Sequence, residues 1–282
     1  MTARKIAAKH GALSPRIGVK MKPHEKIARY FEACWKAGGL NLMGLPLLPR
    51  RLFPSVPHNR TSYNDFLIWI SLLGLRDVSV VVDVGANHGD FSEAASRSFP
   101  AARVLLFEPL PVLQPILERR CRRHAPLWKL ETCALSDAEG TLDLHVAPDR
   151  DEIGSLKGFS RSYLEVTAAA GEVRKIPCRV RRLDDVVREA GIGQVDLLKI
   201  DVEGAEFEVL AGAKDMLAST RSLVVEVSTI REENAAENAL LRLLRLLDGH
   251  GFHPVAILPS LYSPSHPWMP VEFNVLARRA PA

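Results

Sequence analysis

Residues 78–91 read Val-Ser-Val-Val-Val-Asp-Val-Gly-Ala-Asn-His-Gly-Asp-Phe, and this stretch decides the fold. Its valine-rich first half is typical of a strand that is buried on both faces of a parallel sheet. Gly85 and Gly89 follow the strand-end residue Asp83 and allow the backbone to turn sharply before a helix begins. Their spacing differs from the Gly-x-Gly-x-x-Gly fingerprint of dinucleotide-binding proteins. The stretch therefore predicts a strand–turn–helix unit whose ligand is not a dinucleotide.

Short apolar runs and helical stretches alternate over the rest of the chain. Strands are predicted at Val78–Val84, Arg103–Phe107, Trp128–Leu135, Thr141–Val146, Val195–Ile200, Leu223–Val227, Phe252–Leu258 and Val271–Ala277. Helices are predicted at Phe91–Phe99, Pro111–His124, Glu203–Leu217 and Asn234–Asp248. Residues 147–172 show no clear period and are expected to form a loop or lid. The alternation predicts an α/β doubly wound sheet, mostly parallel, whose last two strands pair antiparallel because no helix fits between them.

The composition excludes several classes of protein. The chain has 282 residues, of which 47% are hydrophobic and 25% charged, which suits a packed core rather than a disordered or fibrous chain. The sequence contains no run of 18 or more apolar residues, so no membrane-spanning helix is expected, and no secretory signal is recognised at the start. The four cysteines are scattered without a Cys-x-x-Cys pair, as expected of reduced thiols. These features predict a cytoplasmic protein.

The charge is distributed unevenly along the chain. Residues 1–60 carry 12 Lys or Arg and 2 acidic residues, whereas residues 61–282 carry 25 and 31. We interpret residues 1–60 as a basic N-terminal extension with a Pro-rich linker, and residues 61–282 as the folded domain. The extension is either a solvated segment or a contact with an anionic membrane surface. No nucleic-acid-binding motif is recognised, so no nucleic-acid partner is expected.

Acidic residues are found at or near the ends of five predicted strands. In open parallel sheets the ligand binds at the carboxyl ends of the strands, where Asp83, Glu108, Asp137, Asp201 and Glu226 are found. An acid at the end of the second strand is placed to accept both hydroxyls of a ribose. A pyrophosphate would be repelled by an acid in the first turn, whereas an ammonium or sulfonium group would be attracted. The pattern favours a nucleoside with a positive charge over NAD or ATP.

Five segments of the sequence resemble the FkbM-type methyltransferases, which use S-adenosylmethionine (SAM). They are DVGANHGDFSEAA, FEP, ALSDAEGTLDLHV, RRLDDVV and LLKIDVEGAEFEVLAGA, and the resemblance covers residues 78–277. It implies a class I methyltransferase sheet, Rossmann-like, and methyl transfer to a hydroxyl oxygen. It also implies a SAM loop, a ribose contact and an adenine contact. The corresponding residues are Asp83, Gly85, Asn87 and Gly89 for the loop, Glu108 for the ribose and Asp137 for the adenine.

Candidate catalytic residues are found in the segment after the strand Val195–Ile200. Asp201 is the first candidate for accepting the substrate proton, and Lys199 lies two residues earlier on the same side of the strand. Glu203 is the third candidate. Helix capping by Asp201 and a favourable dipole interaction of Glu203 explain the same residues without catalysis. Asp201 with Asp184, Asp185 or Glu226 has oxygen ligands for a divalent ion, but the spacing matches no recognised loop, so no metal is expected.

The expected function is SAM-dependent O-methylation of a small molecule, or of a glycan or glycolipid hydroxyl. Acceptor contacts are expected from residues 147–172, 228–235 and 259–270. Two alternatives remain open at this point. One is a non-catalytic SAM-binding or membrane-associated partner protein, and the other is a nicotinamide-dependent oxidoreductase, which the acid at Asp83 disfavours. The sequence does not indicate an oligomeric state.

Overall fold

The computed structural model describes residues 63–147, 150, 153–167, 171–230, 238–263 and 268–279, and the backbone of Asn41–Leu42 and Leu45–Pro46. These two dipeptides pair antiparallel. The chain divides into two units, residues 1–56 and 57–282, of which the second is described below. Most of the basic extension and its Pro-rich linker lie outside the described residues. The domain boundary at residue 60 stays a prediction.

The described part of residues 57–282 consists of eleven strands and eight helices. The strands are β1 Val80–Val84, β2 Arg103–Phe107, β3 Trp128–Glu131, β4 Ala134–Leu135, β5 Gly140–Val146, β6 Gly154–Ser155, β7 Arg174–Arg181, β8 Val195–Ile200, β9 Thr220–Ser228, β10 Phe252–Tyr262 and β11 Pro270–Arg279. The helices are α1 Tyr63–Leu73, α2 Asp90–Ser98, α3 Gln114–Arg123, α4 Arg161–Val166, α5 Leu183–Glu189, α6 Glu206–Ala211, α7 Lys214–Ala218 and α8 Ala239–Gly249.

Seven strands form the main sheet, in the order β10-β11-β9-β8-β1-β2-β3. Neighbouring strands from β9 to β3 are parallel, whereas β11 is antiparallel to both β9 and β10. This arrangement confirms the predicted doubly wound sheet and the antiparallel pairing of the last two strands. The strand order reverses between β1 and β8, and a ligand site is expected outside the carboxyl ends of these strands.

Two apolar layers hold the helices against the sheet. Helices α1 and α2 pack on one face, where Phe91 and Leu106 are fully buried. Helices α5 to α8 pack on the other face, where Leu198 and Leu243 are fully buried. Side chains alternate between the two faces of a sheet along a strand. A residue two positions after one that packs under α1 therefore lies on the same face.

Two predicted elements were wrong in their extent. The strand predicted at Trp128–Leu135 is interrupted at Thr132 and Cys133, and β3 and β4 belong to different sheets. The helix predicted at Glu203–Leu217 is interrupted at Gly212, where a Cβ would lie 2.0 Å from the carbonyl oxygen of Ser136. Both interruptions come from tertiary contacts, which an apolar pattern does not encode.

A second, four-stranded sheet lies beside the main one, in the order β4-β7-β5-β6. The segment 147–172, predicted as a loop or lid, contributes β6 and the short helix α4. Ser160 caps α4 by accepting a hydrogen bond from the amide of Tyr163. None of the described helices is both long enough and apolar enough to cross a lipid bilayer.

Candidate active site

The carboxyl ends of β1 and β8 bring opposite charges together. Lys199 of β8 lies opposite Asp83 of β1 in the parallel register. Two residues earlier in each strand, Leu197 and Val81 belong to the apolar layer under α1 and α2. Lys199 and Asp83 therefore lie on the same face, directly beyond that apolar layer.

Lys199 connects three parts of this edge. Its buried ammonium group donates a hydrogen bond to the carbonyl oxygen of Gly85 at 2.7 Å. The same nitrogen lies 3.2 Å from Oδ2 of Asp201 and 3.5 Å from Oδ1 of Asp83. Burial by itself lowers the pKa of Lys199, but the charges of Asp201 and Asp83 outweigh it and raise the pKa above its usual value. The lysine is thus a fixed cation that positions the Gly85 turn and Asp201.

Asp83 is completely buried at the end of β1. Its Oδ2 accepts a hydrogen bond from the Ser92 hydroxyl at 2.6 Å, whereas Oδ1 accepts none and faces Lys199. Burial raises the pKa of Asp83, and the Lys199 charge opposes this change. Ser92 is in α2, so this hydrogen bond fixes the start of that helix relative to the sheet.

The turn after β1 has an unusual backbone conformation and lies close to the chain after β8. Gly85 has φ +75°, and a Cβ there would lie 1.8 Å from the carbonyl oxygen of Asp201. Asn87 also has a positive φ, 50°, which asparagine tolerates better than most residues. The turn ends at Gly89, the residue before α2. The expected SAM loop is therefore a tight turn that lies directly against the chain after β8.

Glu108 lies beside this turn at the end of β2. It is 4% exposed, and its Oε2 accepts a hydrogen bond from the amide of Asn87 at 2.8 Å. Its Oε1 accepts one from the amide of Leu110 at 3.0 Å. Burial raises the pKa of Glu108 to about 7, although both amide hydrogen bonds lower it. The carboxyl group is held in one orientation and changes its charge near neutral pH.

Three more carboxyl groups meet at the carboxyl ends of β8 and β9. Oxygen atoms of Asp201, Glu203 and Glu226 all lie within 4.8 Å of one another, a spacing at which a metal ion could bind. Burial and the charge of Asp201 raise the pKa of Glu226 well above its usual value. The Tyr163 hydroxyl of α4 donates a hydrogen bond to Glu203 at 3.1 Å. The structure thus groups the three catalytic candidates, since Asp201 also pairs with Lys199. The expectation of no metal stays a prediction.

Glu206 shapes the turn that carries Asp201 and Glu203. It is buried, and its Oε1 accepts a hydrogen bond from the amide of Gly204 at 2.8 Å. Burial raises the pKa of Glu206 to about 7, against the effect of its amide hydrogen bonds. Glu203 has φ +61°, a conformation that non-glycine residues rarely adopt.

Asp137 follows β4, a strand of the second sheet. A Cβ on Gly212 would lie 3.3 Å from the Cα of Asp137, so Asp137 packs at the end of α6. The start of α6 at Glu206 is about 9 Å away along the helix axis. The adenine contact of Asp137 stays a prediction.

Three residues at the site were missed in the sequence. Tyr163 is 40 residues before its partner Glu203, and Ser92 is one of several small residues of α2. Asn274 lies opposite Glu226 in the register of β9 and β11. A weak signal existed for Asn274, since polar residues at 272 and 274 alternate with apolar ones in the predicted strand Val271–Ala277.

A comparison with known protein families shows which family this chain belongs to. A sequence profile described as the methyltransferase FkbM domain matches residues 83–254, more than half of the chain. The chain belongs to the FkbM methyltransferase family. The protein is accordingly a methyltransferase, and the main sheet of this FkbM domain has the strand order of the class I fold implied by the resemblance.

Relatives of this FkbM domain include proteins of different length. The 31-O-demethyl-FK506 methyltransferase FkbM of Streptomyces tacrolimicus is 35% identical over 211 residues, which cover 67% of this chain and 78% of the relative. The 2-O-methyltransferase NoeI of Sinorhizobium fredii is 34% identical over 168 residues, which cover 56% and 67%. The AMB antimetabolite synthetase AmbE of Pseudomonas aeruginosa is 35% identical over 201 residues, which cover 62% of this chain and 9% of AmbE. The chain thus corresponds to a small part of AmbE.

Proposed function

We propose that this FkbM methyltransferase transfers a methyl group from SAM to a hydroxyl oxygen of a sugar, a glycolipid or a secondary metabolite. Family membership supports methyl transfer. The names of two relatives, 31-O-demethyl-FK506 methyltransferase and 2-O-methyltransferase, both refer to an oxygen, which supports oxygen as the methyl acceptor. The buried Glu108 carboxyl beside the Gly85–Gly89 turn is the observation that carries the choice of cofactor.

The donor set at this edge suits SAM. Glu108 has lone pairs left after its two amide hydrogen bonds, so it can accept the two ribose hydroxyls. Asp83 is fully buried and paired with Lys199, so it acts on a ligand through the turn that Lys199 holds rather than by direct contact. Gly85, Asn87 and Gly89 would line the cofactor, as the family resemblance implies.

When bound, SAM supplies a methyl group on a sulfonium that leaves as a thioether. The role of the protein is to place the acceptor oxygen in line with the methyl group and the sulfur, and to take the proton of the hydroxyl. Asp201 is suited to take up this proton, because its side chain is 30% exposed at the edge of the site while Lys199 fixes its position. Alignment can lower the barrier by up to roughly 7–11 kcal/mol, and a general base adds about 10²–10⁴-fold.

Helix α4, the predicted lid, is attached to this arrangement at two points. Tyr163 is 4% exposed and contacts Glu203, and the Ser160 hydroxyl donates a hydrogen bond to the carbonyl oxygen of Ile230 at 2.7 Å. The lid is thus attached both to the turn after β8 and to the loop after β9. We assign Glu203 the role of holding Tyr163 and the lid over Asp201.

Asp201→Asn is expected to lower methyl transfer at least about tenfold, because the amide cannot take a proton. The rate would be measured with SAM labelled in the methyl group and a panel of methyl glycosides, with SAM affinity measured in parallel by calorimetry. SAM affinity should remain nearly unchanged. Asp248→Asn, an exposed acid near the end of α8, is the matched control and should retain the wild-type rate. Full activity of Asp201→Asn would remove Asp201 from the mechanism, and absence of methyl incorporation into glycosides by the wild type would count against sugars as acceptors.

A further inference from the structure

Asn274 lies beside the acidic group at the edge of the main sheet. It is directly opposite Glu226 in the antiparallel register of β11 and β9, and Leu276 is opposite Val224 two pairs earlier. Val224 and Leu276 belong to the apolar layer under α1 and α2. Paired side chains point to the same face, about 4.5–5.5 Å apart at Cβ. Asn274 therefore extends the edge from Glu226 to the next strand, and its position is outside residues 83–254, which the family profile covers.

The Asn274 side chain has an unused donor. The residue is 2% exposed, and its Nδ2 makes no hydrogen bond in the described structure. Buried amide groups without a partner are rare, because no hydrogen bond in the protein compensates for the lost hydrogen bonds to water. Ser222, four residues before Glu226 in β9, is also fully buried with an unpaired hydroxyl, but it lies at the opposite end of the strand. Of these two unpaired donors, the one on Asn274 lies next to the acidic group, so a ligand there can satisfy it.

The chemistry around Asn274 selects the kind of ligand. The carboxyl oxygens of Asp201, Glu203 and Glu226 can accept hydrogen bonds from a ligand, whereas Nδ2 of Asn274 requires an acceptor. A metal ion would satisfy the carboxylates but would leave the amide donor unpaired and would lie near the ammonium of Lys199. A hydroxyl group satisfies both sides, because it donates through its proton and accepts through its oxygen.

We propose that Glu226 and Asn274 bind a second hydroxyl of the acceptor, next to the hydroxyl that Asp201 deprotonates, so that the acceptor is a vicinal diol. This inference rests on the proposed function and extends it to the substrate class. The second hydroxyl donates a hydrogen bond to Glu226 and accepts one from Asn274. Asn274 is then a specificity-determining residue that positions the acceptor without contacting the transferred methyl group.

The test compares Asn274→Leu with Ser222→Ala in protein saturated with S-adenosylhomocysteine. The probes are methyl α-L-rhamnopyranoside, methyl α-D-mannopyranoside and methyl β-D-glucopyranoside, which together present cis and trans vicinal diols. At least one probe is expected to bind the wild type, and Asn274→Leu is expected to weaken it about tenfold or more. Ser222→Ala should leave its affinity unchanged. Both variants should raise Tm by about 2–4 °C, because each removes an unpaired buried polar group.

Several results would overturn the inference. The first is that the wild type binds none of the three glycosides. The second is that Asn274→Leu binds a glycoside with the same affinity as the wild type. The third is that the wild type binds Mn²⁺ tightly and Asp201→Asn does not. A wild-type protein that binds S-adenosylhomocysteine but no glycoside contradicts the diol subsite alone. A protein that binds neither S-adenosylhomocysteine nor SAM contradicts the proposed function and, with it, this inference.

Discussion

Gly85→Ala is expected to lower the rate of methyl transfer by about a hundredfold and to weaken SAM binding. The new Cβ would lie 1.8 Å from the carbonyl oxygen of Asp201, well inside the closest approach that Cβ atoms make. The turn and the chain after β8 would have to separate by about 1 Å, a displacement that can cost about a hundredfold in rate. Both the cofactor turn and the proton acceptor would move, so affinity and rate should fall together.

Gly191→Ala is the matched control for this substitution. Gly191 has φ +64°, similar to Gly85, but no atom lies within 4 Å of its Cβ position. This variant should lose only the roughly 1–2 kcal/mol of unfolding free energy that a left-handed conformation costs alanine. Its SAM affinity and rate should match the wild type. If Gly85→Ala behaved like Gly191→Ala, the close packing of the turn against Asp201 would have no functional role.

Lys199→Met is expected to lower the free energy of unfolding by about 3–5 kcal/mol at neutral pH. The substitution leaves the fully buried Asp83 without its cation and removes the partner of Asp201. Asp83 would then take up a proton, because burial already raises its pKa. The variant should therefore lose less stability as the pH falls. Urea denaturation at several pH values measures both effects.

Two companion variants separate this effect from the general loss of a lysine. Lys129→Met removes an exposed lysine whose ammonium lies 2.7 Å from Glu131, and a surface pair of this kind is worth about 0–1 kcal/mol. Asp83→Asn combined with Lys199→Met should recover part of the lost stability, because the unpaired buried charge is gone. A loss below about 1 kcal/mol in Lys199→Met would show that the buried charges are not coupled as the structure indicates.

The sequence predicts the parts of the fold that rest on local patterns. The valine-rich run before Asp83 is buried on both faces, so its apolar continuity identifies a central strand. The acids at the ends of β1, β2 and β8 could be placed at one edge because parallel strands end on the same side. The interruption after β3 could not be predicted, since both halves of residues 128–135 are equally suited to a strand and only their partners differ.

The missing parts of the site depend on long-range contacts. Tyr163 reaches Glu203 only because α4 folds back over the turn after β8, and α4 is too short to show a helical period. Asn274 faces Glu226 because β11 inserts between β9 and β10, which sets its register. The catalytic role of Lys199 stays a prediction, and its hydrogen bond to the carbonyl oxygen of Gly85 is a contact that the spacing of residues does not reveal.

Calorimetric titration with SAM at about pH 6 and about pH 8 tests most directly whether the carboxyl groups at this edge hold the cofactor. With a pKa of about 7, Glu108 is mostly protonated at the lower pH and cannot accept both ribose hydroxyls. Affinity should therefore be lost as the pH falls through 7, by about tenfold between the two conditions, with release of a proton on binding at the lower pH. Glu108→Gln should bind more weakly and show neither effect. Absence of SAM binding, or an affinity that is independent of pH and equal in Glu108→Gln, would contradict the account.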